Sequence, residues 1–144
     1  MSVVIIMRGH AGSGKSTFVD DFIQYSDDDS YKTCVSADDF FYDEKEKYNF
    51  DHNKLGKAHA QCFSDFCGLL RTGIFEYIFV DNTNIKKEHY EKYIKAAKEH
   101  GYEVFQKVMT ENYSSIHNVP PSVIERMKEQ FEIDGELPHF RNTQ

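Results

Sequence analysis

The sequence predicts an α/β fold: a parallel sheet of about four strands with helices on both faces and a C-terminal lid. Two observations carry that expectation. Short β-rich runs (Val3–Arg8, Lys32–Val35, Phe75–Val80 and Tyr102–Met109) alternate with stretches of helical periodicity along the chain. Each of the first three runs ends in a glycine-rich or acid-rich turn, and ligands of open parallel sheets bind beyond such carboxyl ends.

Taken in order, Val3–Arg8 is the first strand and a helix follows from Gly14 to about Tyr25, with Phe18, Val19, Phe22 and Ile23 on one face. Ser26 to Ser30 is an acidic, solvated turn. Lys32–Val35 is a short second strand ending at Ser36-Ala37-Asp38-Asp39. An aromatic and charged stretch, Phe40 to Phe50, leads into a helix from about Asn53 to Leu70, whose buried face includes Leu55, Ala58, Cys62, Phe66 and Leu69. Phe75–Val80 is the third strand, closed by Asp81-Asn82-Thr83-Asn84. Lys86 to His100 reads as one helix with Gly101 as its stop, and Tyr102–Met109 as the fourth strand. Pro120-Pro121 opens a last helix that Gly135 ends, and Glu136–Gln144 reads as a tail.

The 144 residues are expected to form one domain, with the lid at about 110–120. The longest aliphatic run is too short for a membrane span. The first strand begins at residue 3, leaving no room for a secretory signal. Cys34, Cys62 and Cys67 are odd in number and lack metal spacing, which points to a reduced, cytoplasmic protein. With 17 basic against 24 acidic side chains, the net charge of −7 argues against a sequence-blind nucleic-acid coat. It leaves room for gripping a single 5′ end in a local pocket.

Between the first strand and first helix lies Gly9-His10-Ala11-Gly12-Ser13-Gly14-Lys15-Ser16, followed by Thr17, a full match to G-x-x-x-x-G-K-[ST]. In strand–loop–helix context this pattern turns backbone N–H groups toward phosphate oxygens at a helix N-terminus. Lys15 is expected on the β- and γ-phosphates of ATP and the Ser16 hydroxyl on Mg²⁺. Two strand-end acids, Asp38 and Asp81, stand where such a site needs a carboxylate beside the metal and another to take a proton. Strand-end Asp is also ordinary turn chemistry, and position alone does not choose between these roles.

Further residues narrow the choice. Ser36-Ala37-Asp38-Asp39-Phe40-Phe41, Tyr48-Asn49-Phe50-Asp51, Leu55-Gly56-Lys57-Ala58-His59, Val80-Asp81-Asn82-Thr83-Asn84, His117-Asn118-Val119-Pro120 and Arg126-Met127 occur in this order behind the loop. With these the chain resembles the phage-type P-loop 5′-hydroxyl polynucleotide kinases, and still more the small AAA-type ATP-binding proteins related to them, over about nine-tenths of its length. The resemblance implies strand order 2-3-1-4, ATP and Mg²⁺ as cofactors, Asp38 as general base on the acceptor, and Asp81 beside the phosphates and acceptor. The strand-end position of Asp81 also makes it the expected ligand of the metal beside Ser16. The acceptor that the resemblance implies is the 5′-hydroxyl of an RNA or DNA end, with a nucleoside-like small molecule as the other option.

The chain also departs from that pattern. Phe41 stands where the phage enzymes carry an acceptor-phosphate arginine. Ser114, Ser115 and Asn118 replace the lid's Arg, Asn and Gly. A phosphoryl-stabilising arginine can be worth about 10³–10⁵ in rate, so slow transfer is expected. Lys107 could substitute only as a point charge. The alternative is a nucleotide-binding module or weak ATPase that regulates a partner, with little or no phosphotransfer. Among smaller candidates, Phe40, Phe41 and Tyr42 either stack on a nucleobase or pack under a loop. His59 and His117 either touch substrate or lid, or are buried or capping residues. Arg126 either faces the nucleotide or pairs with Glu125 or Glu129.

Overall fold

A computed structural model of the chain describes residues 2–26, 28–111 and 119–141. Its frame is a parallel sheet of β1 (Val3–Arg8), β2 (Lys32–Val35), β3 (Tyr77–Asp81) and β4 (Glu103–Val108), in the order 2-3-1-4. β1 is central: Val3 lies opposite Tyr77 on β3 and Glu103 on β4, and its six residues are all buried. A strand hydrogen-bonded on both edges and covered on both faces has no solvent side, which is why Val3 to Met7 is an unbroken apolar run.

The pleat divides that run between two cores. Val3, Ile5 and Met7 pack with Phe79 of β3 and with Val19 and Phe22 of α1 (Lys15–Tyr25). Val4 and Ile6 face the opposite core, built with Ala58, Cys62 and Phe66 of α2 (Leu55–Thr72) and Tyr93 and Ala97 of α3 (Glu91–Glu99). Helices therefore cover both faces, as expected. Gly73 caps α2 in the left-handed conformation (φ 67°). Among the described residues no helix is long and apolar enough to cross a membrane.

Several expected boundaries shift by a residue or two: β3 is Tyr77–Asp81 where Phe75–Val80 is expected, α2 is Leu55–Thr72 where about Asn53–Leu70 is expected, and β4 is Glu103–Val108 where Tyr102–Met109 is expected. Three larger departures have tertiary reasons. The helix expected over Lys86–His100 is a 3-10 turn at Lys87–His89 followed by α3, broken at Tyr90 (φ −128°, ψ −1°). Tyr90 is fully buried, its ring against the Arg8 guanidinium and its hydroxyl donating to Asp134 Oδ2 at 2.7 Å. Holding the side chain there takes the backbone off the helical path. The last helix, α4 (Pro121–Gln130), stops well short of Gly135. Phe131 is extended, its ring 4.5 Å from the guanidinium carbon, and Glu132 N–H donates to Ile85 O.

The supposed tail is the third. Leu137 is buried, Phe140 packs on Phe22 and Phe105, and His139 bridges Gln106 in parallel at the outer edge of β4. The segment after α4 thus closes the sheet edge that β4 would otherwise present.

The expected lid falls mainly on residues 112–118, so Ser114, Ser115, His117 and Asn118 lie outside the described residues.

Candidate active site

β1 delivers the chain into the loop at Gly9, and the loop can sit there only because Gly9 has no side chain. A Cβ at this position would collide with Met109 O and lie 2.7 Å from Ser13 Oγ. Gly9 N–H donates to Thr83 O at 2.9 Å, which ties the loop to the end of β3. Gly12 (φ 80°) and Gly14 (φ 95°) take the positive φ values that an inward-facing series of amides requires, and Gly14 leads directly into α1.

Lys15 is buried on the first turn of α1, its ammonium donating to Gly9 O at 2.9 Å and His10 O at 3.0 Å. Burial pushes it below the ordinary lysine range, against the attraction of Asp81 and, more weakly, Asp38. Ser16 Oγ donates to Asp81 Oδ2 at 2.7 Å. Burial pushes the Asp81 carboxyl up, opposed by that hydrogen bond and by Lys15. Ser13 Oγ and His10 Nε2 are buried with no hydrogen-bond partner, while His10 Nδ1 lies 2.8 Å from Ala11 O. Thr17 is exposed at the start of α1.

Asp81-Asn82-Thr83-Asn84 proves to be a clasp as well as a source of one acid. Asn82 Oδ1 accepts from Ala37 N at 2.8 Å, fixing the start of the 3-10 turn Ala37–Phe41 that carries Asp38. Asn84, at positive φ (47°), donates to Met7 O at 2.7 Å. One short stretch therefore binds the ends of β1, β2 and the loop together. Asp38 is exposed on its turn, its own N–H donating to Ser36 Oγ at 3.2 Å, and its charge is felt at both Lys15 and Asp81.

The structure thus brings Lys15, Ser16 and Asp81 together, with Asp38 on the neighbouring strand end. Arg126 is exposed on α4 and makes no hydrogen bond or ion pair among the described residues. Glu125 pairs with Lys128 instead, at 3.6 Å. Phe41 is core, packed edge-on to Tyr48, whereas Phe40 and Tyr42 are exposed. His59 is exposed, and burial of its ring still holds it below the ordinary histidine range. Lys107 lies over the Phe18 ring at 5.0 Å, against the flank of α1.

The donor set fits a nucleoside triphosphate with a hard divalent cation. The loop offers the positive-φ glycine backbone of a phosphate cradle, a buried ammonium and an unpartnered Ser13 hydroxyl. Ser16 and Asp81 offer oxygen atoms already in contact. Among the described residues no cluster of three or more His, Cys, Asp or Glu is placed to hold a metal by itself. The Ser16–Asp81 oxygen pair suits Mg²⁺, which keeps several waters and takes one or two carboxylates together with phosphate oxygens.

Replacing Lys15 with Ala should weaken ATP binding by about ten- to hundredfold, the share of a hydrogen bond to a charged group. The fold should survive, because the lost partners are two loop carbonyls that water can reach once the side chain is gone. Calorimetric titration beside a thermal melt checks both; unchanged affinity in a folded variant would remove the loop from the nucleotide site.

A loop of this sequence between β1 and α1 of a 2-3-1-4 parallel sheet defines a P-loop fold of the kinase type. Comparison of the whole chain agrees: it belongs to the AAA domain family, whose model matches residues 4–133. Among curated proteins it is 27% identical to YLP motif-containing protein 1 of Mus musculus over 91% of this chain, and 27% identical to the Rattus norvegicus protein over 90%. The chain spans about a tenth of the length of these relatives, 11% of each. Solved structures of the same fold include the Pnkp1/Rnl/Hen1 RNA repair complex (TM-score 0.65, 18% identity, 90% of this chain and 44% of that one). Chaetomium thermophilum Kti12 with ADP-AlF3 is another (0.58, 14%, 95% and 88%). A third is the Mycobacterium tuberculosis APS kinase CysC (0.52, 14%, 89% and 93%).

Proposed function

We propose that the protein transfers the γ-phosphoryl of ATP to a hydroxyl, and that the acceptor is the 5′-hydroxyl of a polynucleotide. The observation that carries this reading is the Ser16–Asp81 hydrogen bond beside buried Lys15, with Asp38 on the adjacent strand end. The loop amides and Lys15 hold the phosphates, and Ser16 and Asp81 hold Mg²⁺. When bound, Mg²⁺ supplies neutralising charge to the β- and γ-phosphates. Asp38 takes the proton of the acceptor hydroxyl as that oxygen bonds to the γ-phosphorus. The bond from the γ-phosphorus to its bridging oxygen breaks, and ADP leaves with the electron pair. Support for an RNA end comes from the likeness to the Pnkp1/Rnl/Hen1 RNA repair complex, and support for the nucleotide from Kti12 with ADP-AlF3.

A second reading has its own observation. The arginines among the described residues are placed as follows: Arg8 is sealed in a structural network, and Arg71, Arg126 and Arg141 are exposed. A module that binds ATP and moves little phosphate would have the same look. Incubation with γ-labelled ATP and a pool of 5′-hydroxyl oligonucleotides and nucleosides separates the two. Label on an oligonucleotide 5′ end supports the kinase, label only on a nucleoside changes the acceptor, and release as inorganic phosphate alone supports the module.

A further inference from the structure

The segment from Tyr42 to Tyr48 is a small hairpin that folds back over the turn carrying Asp38. Tyr42 and Tyr48 form an antiparallel bridge, and Asp43 N–H donates to Lys47 O at 3.0 Å. The reversal passes through Glu46 at φ 61°, and Asn49 N–H donates to Phe41 O at 2.7 Å. This returns Tyr48 from ten residues along the chain to Asp38, the second residue of the turn.

The Tyr48 ring is wedged among aromatics: Tyr42 at 5.2 Å, Phe41 at 6.1 Å, and Phe50 nearly parallel to it (13°) at 6.5 Å. From that position its hydroxyl donates to Asp38 Oδ1 at 3.2 Å. Burial, then the charge of Asp38, push the phenol well above the ordinary tyrosine range, so it stays a donor at any ordinary pH. The contact is long for an O–H···O bond, as catalytic hydrogen bonds often are until substrate tightens them.

We propose that Tyr48 is a positioning residue, whose hydroxyl turns the Asp38 carboxylate toward the acceptor hydroxyl. The inference rests on the kinase reading above, with Asp38 as base. An aspartate on an exposed turn has a broad terminal torsion, and a base must come within about 2.6–3.2 Å of the group it deprotonates. A misplacement of about 1 Å can cost about 10²-fold in rate. Here the backbone of Asp38 is pinned by Ser36 Oγ and its side chain by Tyr48, so both ends of the residue are held. Ring packing and the hydroxyl are separable roles, because Phe at position 48 keeps every aromatic contact.

The test is single-turnover transfer from γ-labelled ATP to a 5′-hydroxyl oligonucleotide by wild type, Tyr48→Phe, Asp38→Asn and the double variant, with calorimetric ATP titration and thermal melts alongside. Tyr48→Phe should lower the transfer rate about tenfold or more and leave ATP affinity and melting unchanged. In the Asp38→Asn background the same change should have almost no further effect, since the hydroxyl has no base left to orient. A wild-type rate in Tyr48→Phe overturns the inference. So does an equal loss in both backgrounds, or a variant that unfolds or loses ATP, since the hydroxyl would then act on something other than the base. Absence of transfer by wild type, or full transfer by Asp38→Asn, overturns the kinase reading itself and this inference with it.

Discussion

Asp38→Asn should lower phosphoryl transfer by about 10²–10⁴-fold, the usual share of a general base. The substitution keeps the size of the side chain and an oxygen that can accept from Tyr48, but it cannot take a proton. Its effect on folding should stay within about 0.5 kcal/mol, because residue 38 is exposed and its turn is held by backbone and Ser36 contacts. ATP affinity should hardly change. Asp38 is the lesser of the two carboxylates felt by Lys15, and removing its negative charge opposes nothing that binds a phosphate. Single-turnover kinetics give the first quantity and calorimetry the second. A variant that keeps most of its transfer rate places the base elsewhere. One that loses ATP instead would make Asp38 part of the nucleotide site.

The frame of this molecule was legible because it depends on local pattern. Val3–Arg8 and Lys32–Val35 match their strands residue for residue, since short β-rich runs bounded by turn residues need no distant information. The loop and its glycines were legible for the same reason: a fixed spacing encodes a fixed backbone. Strand order 2-3-1-4 was supplied by the resemblance, and the sheet has it. What the pattern could not give was the segment after α4. Leu137, His139 and Phe140 look like tail residues until Gln106, a polar side chain in the edge strand, donates to Asp134 O and Leu137 O from across the sheet. Nothing near Gln106 in the sequence announces partners 28 and 31 residues away.

The site was legible to the extent that its members lie at strand ends. Lys15 and Ser16 could be named from spacing and Asp81 from its strand end together with the resemblance, and the structure puts the three in one place. Asn82 and Asn84 were visible only as parts of a matching stretch, because their work is to fasten Ala37 and Met7, and that requires the tertiary fold to exist. Tyr48 was hidden in an aromatic-rich stretch where several rings looked equivalent. Only the hairpin register decides which ring carries its hydroxyl to Asp38. Arg8 was hidden most completely, as one arginine among four, at the end of an apolar strand.

Replacing Arg8 with Met should therefore produce the largest loss of stability in the molecule. Its guanidinium is fully buried, donating to Asn84 O at 2.9 Å, Gln106 Oε1 at 3.0 Å, Ile85 O at 3.1 Å and Glu132 O at 2.6 Å. It is layered between the rings of Tyr90 and Phe131, 4.7 and 4.5 Å from their centroids. Burial pushes its pKa down, against the attraction of Tyr90, Asp134 and Glu132. Methionine can fill much of the space between the rings but can donate nothing, so Asn84 O, Gln106 Oε1 and Glu132 O lose their donor, while Ile85 O keeps the Glu132 N–H. At about 1–3 kcal/mol for each group left unsatisfied, with water rescuing some of them, the cost should be about 3 kcal/mol or more. That is a large part of the 5–15 kcal/mol or so that a domain has in total. It should lower the melting temperature by about 6–12 °C. Arg8→Lys should recover little of this, because an ammonium lacks the planar fork that reaches several carbonyls and stacks between two rings. The loss should also be local in character: amide hydrogen exchange of residues 131–141 should rise first, because the Glu132 carbonyl is where Arg8 fastens that segment to the end of β1. Exchange that rises uniformly would mean Arg8 stabilises the sheet alone. An unchanged melting temperature would mean the network is worth no more than the packing that methionine keeps.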